Sequence, residues 1–198
     1  LHSTSRRQRQ MCIRDRDIID TRRTFDEDYA KMRYTLYIQK VNTLLENHQK
    51  PHNKKYKQGF FIPKRPLKVM NIMETTEPQP IVWRSSWEKD LCEWLDTTDA
   101  IVRWGSEIVQ ILYRDPTKNK MSFYTPDFYV EYLDANKVLR KTMIEVKPLK
   151  EATLKKASNG WDKILVAKNA MKWVAANEYC KKRGITFKVM HEHNLGIL

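Results

Sequence analysis

The stretch YTPDFYVEYLDANKVLRKTMIEVKP, residues 124–148, constrains the fold more than any other part of the sequence. It contains two extended runs joined by a polar turn at 134–137, which is typical of a β-hairpin. Pro126 has no N–H to donate to a sheet ladder, so it belongs at a strand start, an edge or a bulge. The stretch therefore predicts a strand pair with Asp127 and Glu145 near each other at its open end.

This strand pair carries residue types that suit a metal site. Glu145 and Lys147 share one face of their strand, while Ile144 and Val146 point the other way, into the core. Two neighbouring carboxylates repel each other unless a cation neutralises them. Mg²⁺ is often held by one or two carboxylates together with water and phosphate. We therefore expect Asp127, Glu145 and the Val146 carbonyl to bind Mg²⁺, with Mn²⁺ as the alternative ion.

Lys147 would then orient a water molecule or stabilise the charge that builds on a phosphate. Together these parts suit phosphodiester hydrolysis. The competing interpretation is a hairpin whose charged face is simply turned to water, as is usual for alternating strands. The residues alone leave both interpretations open.

The charge balance indicates the kind of partner. Lysine and arginine number 37 against 24 acidic residues, a formal charge of +13 over 198 residues. Such an excess favours a polyanion, most simply double-stranded DNA. No apolar run approaches the roughly 20 residues that span a bilayer, so we expect no membrane partner. Three widely spaced cysteines predict neither a disulfide framework nor a zinc site, which favours a reducing interior.

The element pattern predicts one α/β (α+β) domain with a mixed sheet flanked by helices. Helices are expected in RSSWEKDLCEWLD, residues 84–96, where Ser85 and Glu88 fit a capping box, and at 161–183, with Gly184 as the C-terminal cap. Strands are expected at 101–104, 107–114, on both sides of the turn at 134–137, and at 185–191. This gives the order α, β, β, β, β, α, β for a domain over 81–198.

The N-terminal part predicts helical and basic extensions to that domain. Residues 1–24 favour a disordered tail, with a DNA-contacting arm as the alternative. Residues 26–47 predict a docking helix through the apolar positions Tyr29, Met32, Leu36, Tyr37, Val41, Leu44 and Leu45. The segment 50–70 is basic, aromatic and broken by prolines, so it is either a solvated linker or a DNA-binding segment. Its candidate phosphate contacts are Lys54, Lys55, Lys57, Lys64 and Arg65.

PD followed by IEVKP resembles the PD-(D/E)xK nuclease superfamily, with Asp127, Glu145 and Lys147 at the motif positions. A wider set of runs is similar to the head completion nucleases of T4-like tailed phages: YKQGFFIPKRPLKVMN, IVWRSSWEKDLCEWLD, VRWGSE and KNAMKWVAANEYCKKRGITFKVMHEHNLG. This resemblance covers residues 55 to 196. It does not cover 1–24, nor clearly the helix at 26–47. A more distant similarity is to transposon endonucleases of the TnsA type.

The resemblance implies a restriction-endonuclease-like core and one further metal ligand. The superfamily commonly carries a glutamate on the helix before the sheet, a position that Glu88 matches. Glu88 is also the expected capping residue, and the two roles compete for one carboxylate. Lys168, on the helix after the catalytic strand, is a candidate phosphate contact or an ordinary solvated lysine.

The expected function is that of a metal-dependent DNA endonuclease in phage head completion, which processes packaged DNA ends before the tail attaches. The resemblance implies head, portal or neck proteins as partners, and the host cytoplasm during assembly, or the virion, as the location. Two alternatives stay open at this point. One is a TnsA-like transposition endonuclease subunit, and the other is a catalytically inert DNA-binding protein at the head–tail joint.

Overall fold

A four-stranded mixed sheet lies at the centre of the protein, and the hairpin expected from the sequence is its middle pair. The computed structural model describes residues 26–47, 58–152 and 160–191. Its helices are α1 (Glu27–Asn47), α2 (Met70–Met73), α3 (Ser86–Thr97), α4 (Leu149–Ala152) and α5 (Gly160–Lys181), with a 3₁₀ turn at Pro66–Lys68. Its strands are β1 (Gly59–Phe61), β2 (Ile81–Trp83), β3 (Ile101–Ser106), β4 (Ile111–Asp115), β5 (Lys120–Tyr124), β6 (Phe128–Leu133), β7 (Leu139–Val146) and β8 (Thr186–Met190).

The strand order in the central sheet is β3-β6-β7-β8. The pairs β3–β6 and β6–β7 are antiparallel, whereas β7 and β8 are parallel. A parallel neighbour needs a crossover connection, which α5 provides between β7 and β8. Phe128 lies opposite Ile144 in the β6–β7 register. Asp127 and Glu145 are the next residues beyond this pair, so the register brings them to the same end of the sheet.

Both faces of the central sheet are covered, and each face has its own apolar cluster. Phe128, Val130, Ile144 and Val146 pack in a cluster that includes Tyr37 of α1, Ile72 of α2 and Leu91 and Leu95 of α3. Tyr129 and Met143 point to the opposite face, where they pack with Ala176 and Cys180 of α5. A sheet covered on both sides buries polar residues as well as apolar ones. Glu131 and Glu145 are consequently only 0% and 2% exposed.

Helix α1 forms where it was expected, but only part of its predicted docking face, including Tyr37 and Val41, is buried. Its buried residues are Ala30, Arg33, Tyr37 and Val41. Four of the apolar residues expected to dock are exposed instead: Tyr29, Met32, Leu36 and Leu45. Arg33 explains the change, because its guanidinium donates to the carbonyls of Ile72, Thr75 and Thr76. Hydrogen bonds to three main-chain acceptors fix the rotation of the helix more strongly than its weak apolar pattern does.

The mixed sheet between helices confirms the predicted α/β (α+β) class, and two strand predictions need correction. The strand expected at 107–114 begins only at Ile111, because Glu107 takes the left-handed backbone with φ of 55°. Strand β5 was not expected at all, and it pairs with β4 as a separate hairpin. Gly184 caps α5 with φ of +65°, as predicted. No helix within the described ranges is long and apolar enough to cross a membrane.

The proposed boundary between the extension and the domain, at residue 80, stays a prediction. Residues from both sides of it share one apolar cluster: Tyr37, Phe61 and Ile72 pack in the same cluster as Leu91 and Trp104. The tail expected at 1–24 lies outside the described residues.

Candidate active site

Asp127 and Glu145 meet at the open end of the β6–β7 pair, as the hairpin predicts. The Asp127 Oδ2 atom accepts a hydrogen bond from the main-chain N–H of Val146 at 2.7 Å. This bond ties the start of β6 to the end of β7 and holds the Asp127 carboxylate beside the backbone that carries Glu145. The arrangement follows from antiparallel pairing, because the two strands end together at this edge.

Glu145 is held by one neutral and one charged donor. The Tyr124 hydroxyl donates to its Oε2 atom at 2.7 Å, and the Lys147 ammonium lies 3.1 Å from its Oε1 atom. Tyr124 is buried at the end of β5, so this strand aims the carboxylate as well as covering it. Lys147 shares the face of Glu145, as the two-residue period predicts. Its main-chain N–H donates to Met190 of β8, which fixes the backbone here.

The charges at this site are incompletely balanced. Burial raises the pKa of Asp127 to about 8, with a further contribution from the nearby Glu145. Burial alone would lower the pKa of Lys147, but Asp127 and Glu145 outweigh it and raise that pKa. Lys147 forms its direct ion pair with Glu145, and the two carboxylates still repel each other. A proton on Asp127, or a cation bound beside it, would relieve the repulsion between them.

The donor set suits a hard divalent cation. Asp127 and Glu145 supply carboxylate oxygens, which are the ligands that Mg²⁺ prefers, and one or two such groups are typical of its protein sites. Across the described ranges, however, no three His, Cys, Asp or Glu side chains converge in a way that would hold a metal ion. The two central carboxylates therefore fit the ion, and the third expected ligand does not complete the set in this arrangement.

That third residue, Glu88, is used at the N-terminus of α3. Ser85 is the N-cap, and its Oγ atom accepts from the Glu88 N–H at 3.1 Å. The Glu88 carboxylate accepts from the Arg84 N–H at 2.8 Å and from the Ser85 hydroxyl at 3.0 Å. This is the expected capping pair, except that Glu88 reaches the N–H of Arg84 rather than that of Ser85. Glu88 is still close enough to raise the pKa of Asp127 slightly.

Arg84 and Glu107 form an ion pair at the border of the site, next to Glu88. The Arg84 guanidinium makes two hydrogen bonds to the Glu107 carboxylate, at 2.6 and 3.2 Å. Glu107 also donates its N–H to the carbonyl of Asp127 at 3.0 Å. Its left-handed backbone thus lies next to the candidate ligand, where strained conformations are frequent in functional sites. A cleft bordered by Arg84, Glu107 and Thr125 opens beside this pair.

Comparisons with known proteins agree with this geometry. Residues 98–192 match the family model described as TnsA-like endonuclease N terminal. The chain is also 32% identical, over 146 residues, to the head completion nuclease of Enterobacteria phage T4. That alignment covers 71% of this chain and 94% of the phage protein. The chain belongs to the head completion nuclease family.

Membership in the head completion nuclease family confirms three predictions made from the sequence. The first is the resemblance itself, with its TnsA-type similarity. The second is the restriction-endonuclease-like core, which the TnsA-like match implies for this mixed sheet. The third is a nuclease of phage head completion as the general function. The individual site residues and the metal stay predictions.

The remaining site candidates differ in whether an acidic side chain pairs with them. Lys168 lies 3.0 Å from Asp115. Asp115 is buried, but its hydrogen bonds with Thr117 and Lys168 hold its pKa well below its usual range. Arg65 pairs with Asp99 at the surface, and Lys64 is exposed. Lys54, Lys55 and Lys57 lie outside the described residues.

Four residues of the site were not anticipated from the sequence. Tyr124 holds Glu145, Arg84 pairs with Glu107, and Lys172 lies over the Tyr124 ring. The spacing of Lys172, one helical turn after Lys168, was the available signal for that residue, because residues four apart lie on one helix face. For Tyr124 the available indication was weaker, namely that it lies two residues before Pro126 and so close to the candidate ligand Asp127.

Proposed function

We propose that this protein is a magnesium-dependent DNA endonuclease that processes packaged DNA ends before the phage tail attaches. The observation that carries the proposal is the meeting of Asp127 and Glu145 beside Lys147 at one end of the central sheet. A purely structural carboxylate pair would be fully neutralised by the protein. Here burial and Glu145 keep the pKa of Asp127 near 8, which favours an external cation.

Double-stranded DNA is the substrate that suits the charge of the chain. A formal charge of +13 supplies long-range attraction for a phosphate backbone. Such binding depends on phosphates rather than on base edges, so sequence preference should be weak. The proposed partners are head, portal or neck proteins, and the proposed location is the host cytoplasm during assembly, or the virion.

Each residue of the site has a distinct part in the proposed hydrolysis. Asp127 and Glu145 would hold Mg²⁺, with the Val146 carbonyl as a further oxygen donor. When bound, the ion lowers the pKa of a water molecule and polarises the phosphate. Tyr124 fixes the orientation of Glu145 through its hydroxyl. Lys147 is protonated under all ordinary conditions and would stabilise the negative charge that builds on the phosphate.

A cleavage assay on plasmid and linear duplex DNA tests this proposal. We expect cutting with Mg²⁺ or Mn²⁺, none with a chelator, and binding with little cutting in Ca²⁺, which is larger and less demanding in geometry. Asp127→Asn and Lys147→Ala should lower the cleavage rate by roughly 100-fold or more. Both variants should still bind DNA, which a mobility-shift assay would show.

Matched controls exist on the same two strands. Asp134→Asn changes a carboxylate in the turn that joins β6 to β7, and Lys141→Ala changes a lysine within β7, the strand that Lys147 directly follows. Both should cut like the wild type. If Asp127→Asn cuts as fast as the wild type, Asp127 is not a ligand, and the hairpin is a charged surface.

The second candidate is a catalytically inert DNA-binding protein at the head–tail joint. The observation that favours it is the lack, in the described part of the chain, of a three-ligand metal cluster. In that case the wild type would cut no DNA form with Mg²⁺ or Mn²⁺ and would still bind duplex DNA.

A further inference from the structure

Lys172 on α5 lies beside the candidate active site without taking part in the ion pairs that hold it together. Its Nζ atom is 5.3 Å from the centre of the Tyr124 ring. The hydroxyl of the same tyrosine donates to Glu145 at 2.7 Å. The ring therefore places the Lys172 ammonium on the side of α5 that faces the two carboxylates.

The charges around Lys172 come from the same site. Burial lowers the pKa of this half-buried lysine, as do the nearby Lys147 and Lys168, while Glu145 and Asp127 act in the opposite direction. Among residues 26–47, 58–152 and 160–191, no carboxylate forms an ion pair with it. The ammonium has an aromatic face beneath it and donor capacity that the described protein groups do not use.

Two other lysines of α5, Lys163 and Lys168, differ from Lys172 in their partners and position. Lys168, one turn earlier, is 3.0 Å from the buried Asp115 and stabilises that carboxylate. Lys163 is exposed and lies about two and a half turns before Lys172, so it projects from the opposite side of the helix. Of these three lysines, Lys172 is the one that lies beside the site and forms no ion pair with a described carboxylate.

We propose that Lys172 binds a phosphate oxygen of the DNA at the carboxylate pair, in the role that the sequence suggested for Lys168. The inference rests on the proposed nuclease function and assigns a substrate contact within it. A lysine is suited to this contact because its ammonium is a compact charge with three rotatable donors. The Tyr124 ring limits where the side chain can lie, which reduces the entropy lost when the phosphate binds.

Binding of a short duplex in Ca²⁺ tests the proposal without depending on cleavage. Lys172→Met keeps an unbranched apolar side chain over the Tyr124 ring and removes the charge. Loss of one phosphate contact should reduce the slope of log affinity against log salt by about 0.9. Affinity should accordingly fall roughly eightfold at 0.1 M salt and converge on the wild-type value near 1 M.

Three further variants make the result specific. Lys172→Arg should keep most of the affinity and the salt slope, because the charge remains. Lys172→Gln is a polar second replacement in case the methionine variant unfolds, and it should behave like Lys172→Met. Lys163→Met removes one charge from the opposite side of the same helix and should leave the slope unchanged.

A different result would overturn the proposal. If Lys172→Met and Lys172→Gln keep the wild-type salt slope while their melting temperatures fall, Lys172 is a counter-charge for Glu145 and Asp127, not a phosphate ligand. The two proposals also fail separately. A wild type that binds DNA but cuts none with Mg²⁺ or Mn²⁺ refutes the nuclease function, while the salt slopes still decide whether Lys172 contacts phosphate.

Discussion

The central sheet contains two buried acidic clusters built from similar parts. In the structural cluster, Glu131 of β6 accepts from the Tyr129 hydroxyl at 2.6 Å and from two nitrogens of Arg103 at 2.8 and 3.1 Å. Glu74 accepts two further hydrogen bonds from Arg103, at 2.8 and 2.9 Å. In the active-site cluster, Glu145 of β7 accepts from the Tyr124 hydroxyl and pairs with Lys147, beside Asp127.

The two clusters differ in how completely the protein neutralises them. The guanidinium of Arg103 donates to both carboxylates of the structural cluster. A second cation, the Lys141 ammonium, lies 3.8 Å from Glu131. The Glu131 and Glu74 carboxylates raise the pKa of Arg103, although burial acts against them. In the active-site cluster Lys147 contacts Glu145, and Asp127 receives a main-chain N–H instead of a cation. The difference indicates which cluster supports the fold and which is available to a ligand.

Removing the cation of the structural cluster should have the largest effect on stability. Arg103→Met would leave Glu74 and Glu131 buried without their principal partner. We expect the free energy of unfolding to fall by about 3–5 kcal/mol. Urea denaturation measures this change. The matched control is Arg140→Met, whose pair with Asp134 is exposed and should be worth less than about 1 kcal/mol. Equal losses in the two variants would contradict the contrast.

Asp127→Asn should raise the free energy of unfolding instead of lowering it. At neutral pH the folded wild type must keep Asp127 protonated while the unfolded chain does not, and this lowers its stability. The amide carries no such cost, so we expect the unfolding free energy to rise by about 2 kcal/mol. Glu131→Gln, in the structural cluster, should lower it. If both substitutions destabilise the protein, the two clusters are alike.

The gain in Asp127→Asn should also depend on pH. In the unfolded chain Asp127 loses its proton near the ordinary pKa of 3.8, whereas the folded protein retains it up to about 8. Rising pH across this window therefore favours the unfolded wild type. The stability difference between Asp127→Asn and the wild type should widen from pH 5 to pH 8, which melting curves at several pH values would show.

Mg²⁺ should stabilise the wild type through the active-site cluster alone. At ten times its dissociation constant, an ion that binds only the folded state adds about 1.4 kcal/mol. We expect the melting temperature of Glu131→Gln to rise with Mg²⁺ as the wild type does, and that of Asp127→Asn to stay constant. A full response in Asp127→Asn would place the ion elsewhere.

Glu88→Gln, which separates the capping role of Glu88 from its proposed role as a metal ligand, should change stability least. The amide oxygen can still accept from the Arg84 N–H, so the unfolding free energy should stay within about 0.5 kcal/mol. The charge is lost, and we expect cleavage to fall about tenfold or more. Full cleavage by this variant would leave Glu88 with its capping role only. Glu93→Gln, on the exposed side of the same helix, is the control.

The carboxylate pair of the candidate site could be located from the sequence because its placement follows local rules. A two-residue period and the prolines fix which residues of 124–148 share a face and where the strands end. The burial of Glu145 could not be found in this way, since it depends on Tyr124 of β5 and on α5, which covers this face of the sheet from later in the chain. Strand β5 escaped prediction because Met121 and Phe123 alternate with polar residues yet point outward.

The choice between equivalent side chains also needed the structure. Lys168 and Lys172 lie on one helix face, and the position of Asp115 at the end of β4 decides which of them is neutralised. The docking face of α1 was predicted only in part for a similar reason. Its apolar residues are spread around the helix, and the carbonyls that receive Arg33 belong to residues 72–76, which the helix sequence cannot reveal.

The parallel pairing of β7 with β8 constrains the order in which the sheet can form during synthesis on the ribosome. Lys147 hydrogen-bonds through its N–H to Met190, and Glu145 lies opposite Val189. Because the chain is made from its N-terminus, β7 emerges with one unpaired edge and waits for α5 and β8 to follow. Non-local partners of this kind join a fold late. A chain that ends before β8 would therefore lack the strand that holds the backbone at Glu145 and Lys147.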